Sequence, residues 1–150
     1  MKPFAFKLQT ALDIKMKEEA MQKEELFKAT QIYRQNVEFL KSLELRLVEV
    51  YDIVRGNLTR TVDVVEMQNC NDYLPVLKRR IEQQITSTEN ARQEMEQVRY
   101  KLIEMMRDRK VLEKLKGKQY QEYIKECLRE EQNRIDEMAT IGFIRRDSAV

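Results

Sequence analysis

Residues able to do chemistry are present in this chain, but in no grouping that makes a reaction centre. Adjacent carboxylates occur at Glu18-Glu19, Glu24-Glu25 and Glu130-Glu131, and the two thiols, Cys70 and Cys127, lie far apart in sequence. Acid–base work needs a carboxyl group held in a desolvated pocket that moves its pKa, and a run of polar residues does not supply one. Histidine is absent. No Ser-His-Asp or Cys-His pair and no mixed Cys/His zinc site can therefore be assembled. Lys116-Gly117-Lys118 lacks the upstream glycines and the following hydroxyl of a phosphate loop. No catalytic residue, cofactor or metal ligand is nominated, and the chain is expected not to be an enzyme.

The elements that would have to position any site explain this. Leu26, Ala29, Tyr33, Leu40, Leu43, Leu47, Val50 and Val54 follow alternating three-four spacing. After an interruption at Arg55-Gly56-Asn57 the spacing resumes through Leu74, Leu77, Ile81, Ala91, Met95, Val98, Leu102, Met105 and Leu112. Two helices burying one seam against each other need this pattern. The expected fold is all-α, a long antiparallel two-helix coiled-coil hairpin in one domain with the second helix longer. Such a fold has surfaces and ends but little interior, so its work is contact rather than catalysis.

Composition agrees. The 150 residues include 3 Gly, 2 Pro and no Trp, and 36% are charged, poor material for a globular core but suited to solvated helix faces. Basic and acidic side chains number 28 and 26, a formal net charge of +2. Short basic clusters at Lys78-Arg79-Arg80, Arg107-Asp108-Arg109-Lys110 and Arg145-Arg146 read as solvated helix faces, so no nucleic acid is expected as partner. No stretch has the length of a membrane span, and Met1 to Lys7 does not open a secretory signal. Two isolated thiols suit a reducing compartment. Asn57-Leu58-Thr59 matches a glycosylation sequon by chance of composition.

The first helix is expected from about residue 4 to 55, with Pro3 ahead of it, Gly56 as a left-handed residue after its last turn and 56–61 as the turn. Thr61 reads as the N-cap of a second helix over about 62–138, with Asp63 in its first turn. Asn69, Asn71, Asp72 and Pro75 predict a kink or break near 69–75, and residues 140–150 are expected to fray. Two pivots are open, one at 56–60 and one at 69–72. The first sets Leu40 opposite Leu77, Leu43 opposite Leu74, Leu26 near Ala91 and Leu12 near Met105, and is preferred because apolar meets apolar. Polar residues interrupt the seam at Lys15, Glu19, Gln22, Gln84, Thr88 and Arg109. The second helix then outlasts the first, leaving Tyr120, Tyr123, Ile124, Cys127, Leu128, Ile135 and Met138 without a partner helix. That overhang is either a binding surface or a segment that folds back, self-associates or frays.

Particular motifs resemble a known family. Phe4-Ala5-Phe6-Lys7-Leu8-Gln9-Thr10-Ala11-Leu12-Asp13 is similar to the aromatic-x-aromatic-basic-Leu-Gln-x-x-Leu-Asp opening of the bacterial flagellar export protein family FliJ. Val65-Glu66-Met67-Gln68 with Asn71-Asp72-Tyr73-Leu74, and Val111-Leu112-Glu113-Lys114-Leu115-Lys116 with Tyr120, Tyr123 and Asp136-Glu137-Met138-Ala139, resemble its later blocks. Gly117 and Pro75 depart from its pattern. The resemblance implies a non-enzymatic, stalk-like coiled coil of the flagellar type III protein export apparatus. Its partners would be the hexameric flagellar export ATPase, whose ring assembly and activity it promotes, the cytoplasmic domain of the export gate, and export chaperones. It would be a cytoplasmic monomer, without direct membrane insertion, peripherally associated with the inner membrane at the flagellar base. By the stalk analogy, Phe4, Phe6, Lys7, Leu8, Gln9, Leu12, Arg109 and Leu112 would contact the ATPase, and an aromatic cluster of Tyr51 and Tyr73 with Leu77 beside it would contact the gate. The rival reading is a structural spacer that homodimerises through the C-terminal overhang.

Overall fold

A computed structural model describes residues 2–59 and 63–149, the side chain of residue 58 apart. Two helices account for almost all of it, α1 (Gln9–Thr59) and α2 (Val64–Asp147), paired antiparallel as a coiled-coil hairpin in which α2 is the longer. Contacts divide the chain into two units. Unit 1 joins Met1–Glu18 to Met105–Val150, and unit 2 is Glu19–Glu104.

Unit 2 is built by the seam. Its buried and half-buried positions on α2 recur at Met67, Cys70, Leu74, Leu77, Ile81, Gln84, Thr88, Ala91, Met95, Val98 and Leu102, an unbroken three-four alternation. Leu43, Val50, Cys70 and Leu77 form its core cluster, with Leu47, Val54, Tyr73, Leu74 and Ile81 packed around it. Leu77 has no exposed surface. The polar interruptions are satisfied across the seam. Gln84 Nε2 donates to Asn36 O at 3.0 Å and to Asn36 Oδ1 at 2.9 Å, and Gln22 Nε2 donates to Val98 O at 3.1 Å. These bonds and the core cluster fit the pivot after α1. They place Leu43, rather than Leu40, in the layer of Leu77, about one turn along from the expected register.

The ends of the helices differ from the sequence reading, each for a local reason. Gly56 lies inside α1 and has no positive φ. The helix extends to Thr59, whose hydroxyl donates to Gly56 O at 3.1 Å and reaches Arg55 O at 3.4 Å. Asn57 is therefore a half-buried helix residue. Thr61 lies outside the described residues. Asp63 supplies the cap of α2, its Oδ1 accepting from Val65 N at 3.1 Å and Glu66 N at 3.4 Å. Helix continues through 69–75 with Pro75 inside it, so no break occurs there. At the far end α2 runs past Met138 to Asp147, with Arg145 and Arg146 in its last turn where the helix dipole favours cations. Ser148 N and Oγ both donate to Ile144 O, which closes that end.

Unit 1 is built differently. Residues 2–6 are not helical and a turn at Lys7-Leu8 leads into α1, with Gln9 N donating to Phe6 O at 3.1 Å. The expected helix from residue 4 does not form. Phe4 and Phe6, two residues apart, would project from opposite sides of a helix, whereas an extended segment turns both to one face. Both are used: Phe4 packs against Tyr120 and Tyr123, and Phe6 is buried.

Candidate functional site

Contact surfaces are the candidates for function. Among the described residues no group of three or more His, Cys, Asp and Glu could hold a metal ion, and no helix is long and apolar enough to cross a membrane. Cys70 is buried and Cys127 half-buried, both as free thiols.

The first surface belongs to unit 1 and grows from the N-terminal segment. The Phe4 ring meets Tyr120 edge-on at 5.2 Å between centroids and Tyr123 at 5.5 Å, a geometry that suits aromatic quadrupoles. Tyr123 also donates its hydroxyl to Lys2 O at 2.9 Å. A hydrogen bond with Cys127, followed by burial, raises the Tyr123 pKa above the ordinary phenol value and keeps that donor proton in place. Lys116 Nζ donates to Gln9 Oε1 at 2.7 Å and fixes the first turn of α1. Leu12 is only 2% exposed, whereas Leu8 is 43% exposed and Lys7 is open to solvent. Arg109 is half-buried, bonding Glu113 Oε1 at 2.6 Å, and Leu112 is half-buried beside them. Of the eight residues expected to meet the ATPase, Phe6 and Leu12 are thus core. Lys7 and Leu8 present the free surface.

Tyr120 and Tyr123, read from sequence as part of an unpartnered overhang, are in fact partnered by the chain's own N-terminal segment. The aromatic-x-aromatic spacing carried the signal, since residues two apart share a face only in extended backbone. Beyond this patch the apolar side chains of α2 stay exposed, among them Leu128, Ile135, Met138, Ile141, Phe143 and Ile144.

The second surface belongs to unit 2, near the ends of α1 and α2 that face the connection. A hollow of about 430 Å³ is lined by Arg46, Glu49, Val50, Ile53, Cys70 and Tyr73. The Tyr73 phenol, and then Glu49, hold the Arg46 guanidinium more firmly protonated than usual. Tyr73 packs against the core cluster that contains Leu77. Tyr51 does not join Tyr73 ring to ring; its face is covered by Lys78, with Nζ 5.9 Å from the centroid. Lys78 is therefore engaged with an aromatic ring.

Comparison with known proteins bears on both surfaces. No curated protein and no solved structure matches the chain. The family model described as Flagellar FliJ protein matches residues 4–148, from the Phe4 ring to the last turn of α2. A match across nearly the full length, in a protein that folds as a coiled-coil hairpin with an N-terminal aromatic anchor, shows that the chain belongs to the flagellar FliJ family and is a component of the flagellar protein export apparatus.

Proposed function

We propose that this protein is the non-enzymatic, stalk-like component of the flagellar type III export apparatus that binds the hexameric export ATPase, promotes its ring assembly and hydrolysis, and contacts the export gate and export chaperones. The observation that carries this reading is the family match over residues 4–148. Unit 1, with exposed Lys7 and Leu8 beside anchored Phe4 and Gln9, is the proposed ATPase-binding part, together with Arg109 and Leu112 on α2. Buried Phe6 and Leu12 act there by holding the segment in place. Tyr73, with Leu77 behind it and Tyr51 on the neighbouring helix, is the proposed gate contact, because a half-buried tyrosine bordering a hollow is the kind of residue that anchors an interface. The protein would work at the cytoplasmic face of the inner membrane, held there by its partners.

The test is to add the chain to purified flagellar export ATPase and to follow ATP hydrolysis and ring formation. Stimulation of both is expected, and no change at a saturating ratio would remove the ATPase from the reading. For the gate, Tyr73→Ala is expected to weaken binding to its cytoplasmic domain at least tenfold in a titration.

A second reading is favoured by one observation, the run of exposed apolar side chains from Leu128 to Ile144. It makes the chain a spacer that homodimerises through that segment. Sedimentation at micromolar concentration separates the two, a monomer supporting the stalk and a tight dimer the spacer.

A further inference from the structure

Gly117 is a costly choice in the interior of an 84-residue helix, and no neighbour among the described residues requires it. A glycine there weakens a helix relative to alanine. That cost is often explained by close approach of another backbone or side chain. Here a Cβ built at Gly117 meets no atom within 4 Å, and the residue has no positive φ. The missing side chain opens space toward the outside.

What surrounds that space is a notch in unit 1 of about 460 Å³, lined by Phe4, Leu12, Met16, Glu113, Lys116 and Tyr120 around Gly117. Leu12 and the two rings give it apolar walls, and its polar rim is already committed. Lys116 is bonded to Gln9 and Glu113 to Arg109. On the side of Phe4 the notch is bounded by a ring packed against both tyrosines. A walled apolar hollow of this size with few polar groups is a seat for a bulky apolar side chain.

The charge around it indicates what carries that side chain. Arg107 to Lys118 contains six basic residues against Asp108 and Glu113. Both acids are neutralised within the unit, Asp108 by Lys15 at 3.8 Å and Glu113 by Arg109 at 2.6 Å. Among the described residues Lys110, Lys114 and Lys118 have no carboxylate partner. Lys114 and Lys110 lie one and two turns from Gly117 on the same face of α2. An apolar seat with unpaired ammonium groups on the adjoining turns of the same helix face is complementary to an apolar residue flanked by carboxylates.

We propose that the Gly117 notch receives a bulky apolar side chain borne on an acidic segment of the export ATPase, with Lys110 and Lys114 engaging the flanking carboxylates. The inference rests on the reading of unit 1 as the ATPase-binding part, and adds to it a specific seat and the chemistry of its occupant.

The experiment measures binding of the full chain to purified export ATPase for the wild type, Gly117→Leu, Gly117→Ala and Lys110→Glu/Lys114→Glu, each at about 50 and 300 mM salt. Gly117→Leu fills the notch while improving helix propensity, so its thermal midpoint should equal or exceed that of the wild type, and this keeps misfolding from imitating the result. Its affinity should fall at least tenfold, with Gly117→Ala falling less. The double charge reversal should weaken binding at low salt and flatten the salt dependence, since exposed ion pairs are screened by added salt. If the wild type binds and Gly117→Leu binds within twofold of it, the notch assignment is overturned and the ATPase reading stands. If the wild type does not bind, both are overturned. Self-association of the wild type that Gly117→Leu abolishes would overturn the assignment in favour of a second copy of this chain as occupant.

Discussion

The two units hold their helices by different means. In unit 2 the residues that stabilise are those of a repeating seam: small and branched side chains at three-four spacing, with Gln22, Asn36 and Gln84 crossing it as polar layers. Such polar layers cost stability compared with leucine but penalise slipped alignments, because a shift of one turn leaves their amides unpaired. In unit 1 the decisive contacts come from a non-helical segment, whose Phe4 ring and Lys2 carbonyl meet two tyrosines on α2. A heptad seam is distributed, and many layers share the load. An aromatic clasp is concentrated in a few side chains that a short backbone movement can release.

This contrast can be broken most directly in the cores. Leu77→Ala should cost about 2–5 kcal/mol in denaturant unfolding, since a fully buried leucine leaves a cavity that the helices fill only in part. Phe6→Ala, although also at a buried position, should expose residues 2–8 to proteolysis while moving the global midpoint less than Leu77→Ala. Equal effects of the two on the global midpoint would end the distinction between distributed and concentrated stability. Next in size, Gln22→Ala should cost about 1 kcal/mol through the lost bond to Val98 O, and Gly117→Ala should gain a similar amount in thermal unfolding.

Smaller effects sharpen the contrast through pH. The Tyr123 pKa is raised, so its contribution is complete below the ordinary phenol value of about 10 and is lost as pH climbs through the higher folded value. Tyrosinate absorbance should show a late-titrating phenol that Tyr123→Phe removes, and proteolysis of residues 2–8 should quicken in that alkaline window. In unit 2 the Arg92 guanidinium, 2.7 Å from its carboxylate, holds the Glu89 pKa below the usual carboxylate value. Its small contribution is present above about pH 4.5 and disappears as pH falls through the lowered folded value. Carboxylate titration by NMR should place Glu89 below the ordinary glutamate value, and Arg92→Ala should restore it.

Unit 2 was legible from its spacing because a seam is a one-dimensional signal, and each apolar position is a vote for the same period. The register was missed by about a turn because apolar residues match one another almost equally well when shifted; the amides of Gln84 and Asn36 choose the alignment, and pairing leucines ignored them. Unit 1 was less legible. Helix propensity gave no reason to begin α1 only at Gln9, and the segment before it finds its partner 121 residues away, where Tyr123 bonds Lys2. Of the proposed sites, the Tyr73 and Leu77 pair could be read from sequence, whereas Tyr120 and Tyr123 acquired partners only when the N-terminal segment was placed. The glycine notch was visible as a weak helix position, but its open face and its unpaired lysines required coordinates.

Chain separation sets the order in which these contacts can form. The Asn36–Gln84 bond closes a loop of 48 residues, and the Lys2–Tyr123 bond one of 121. Closure entropy rises with loop length, so pairing should start beside the connection between the helices and zip away from it. On a ribosome Phe4 would emerge long before its partners, docking only after Tyr120 and Tyr123 of α2 have been synthesised.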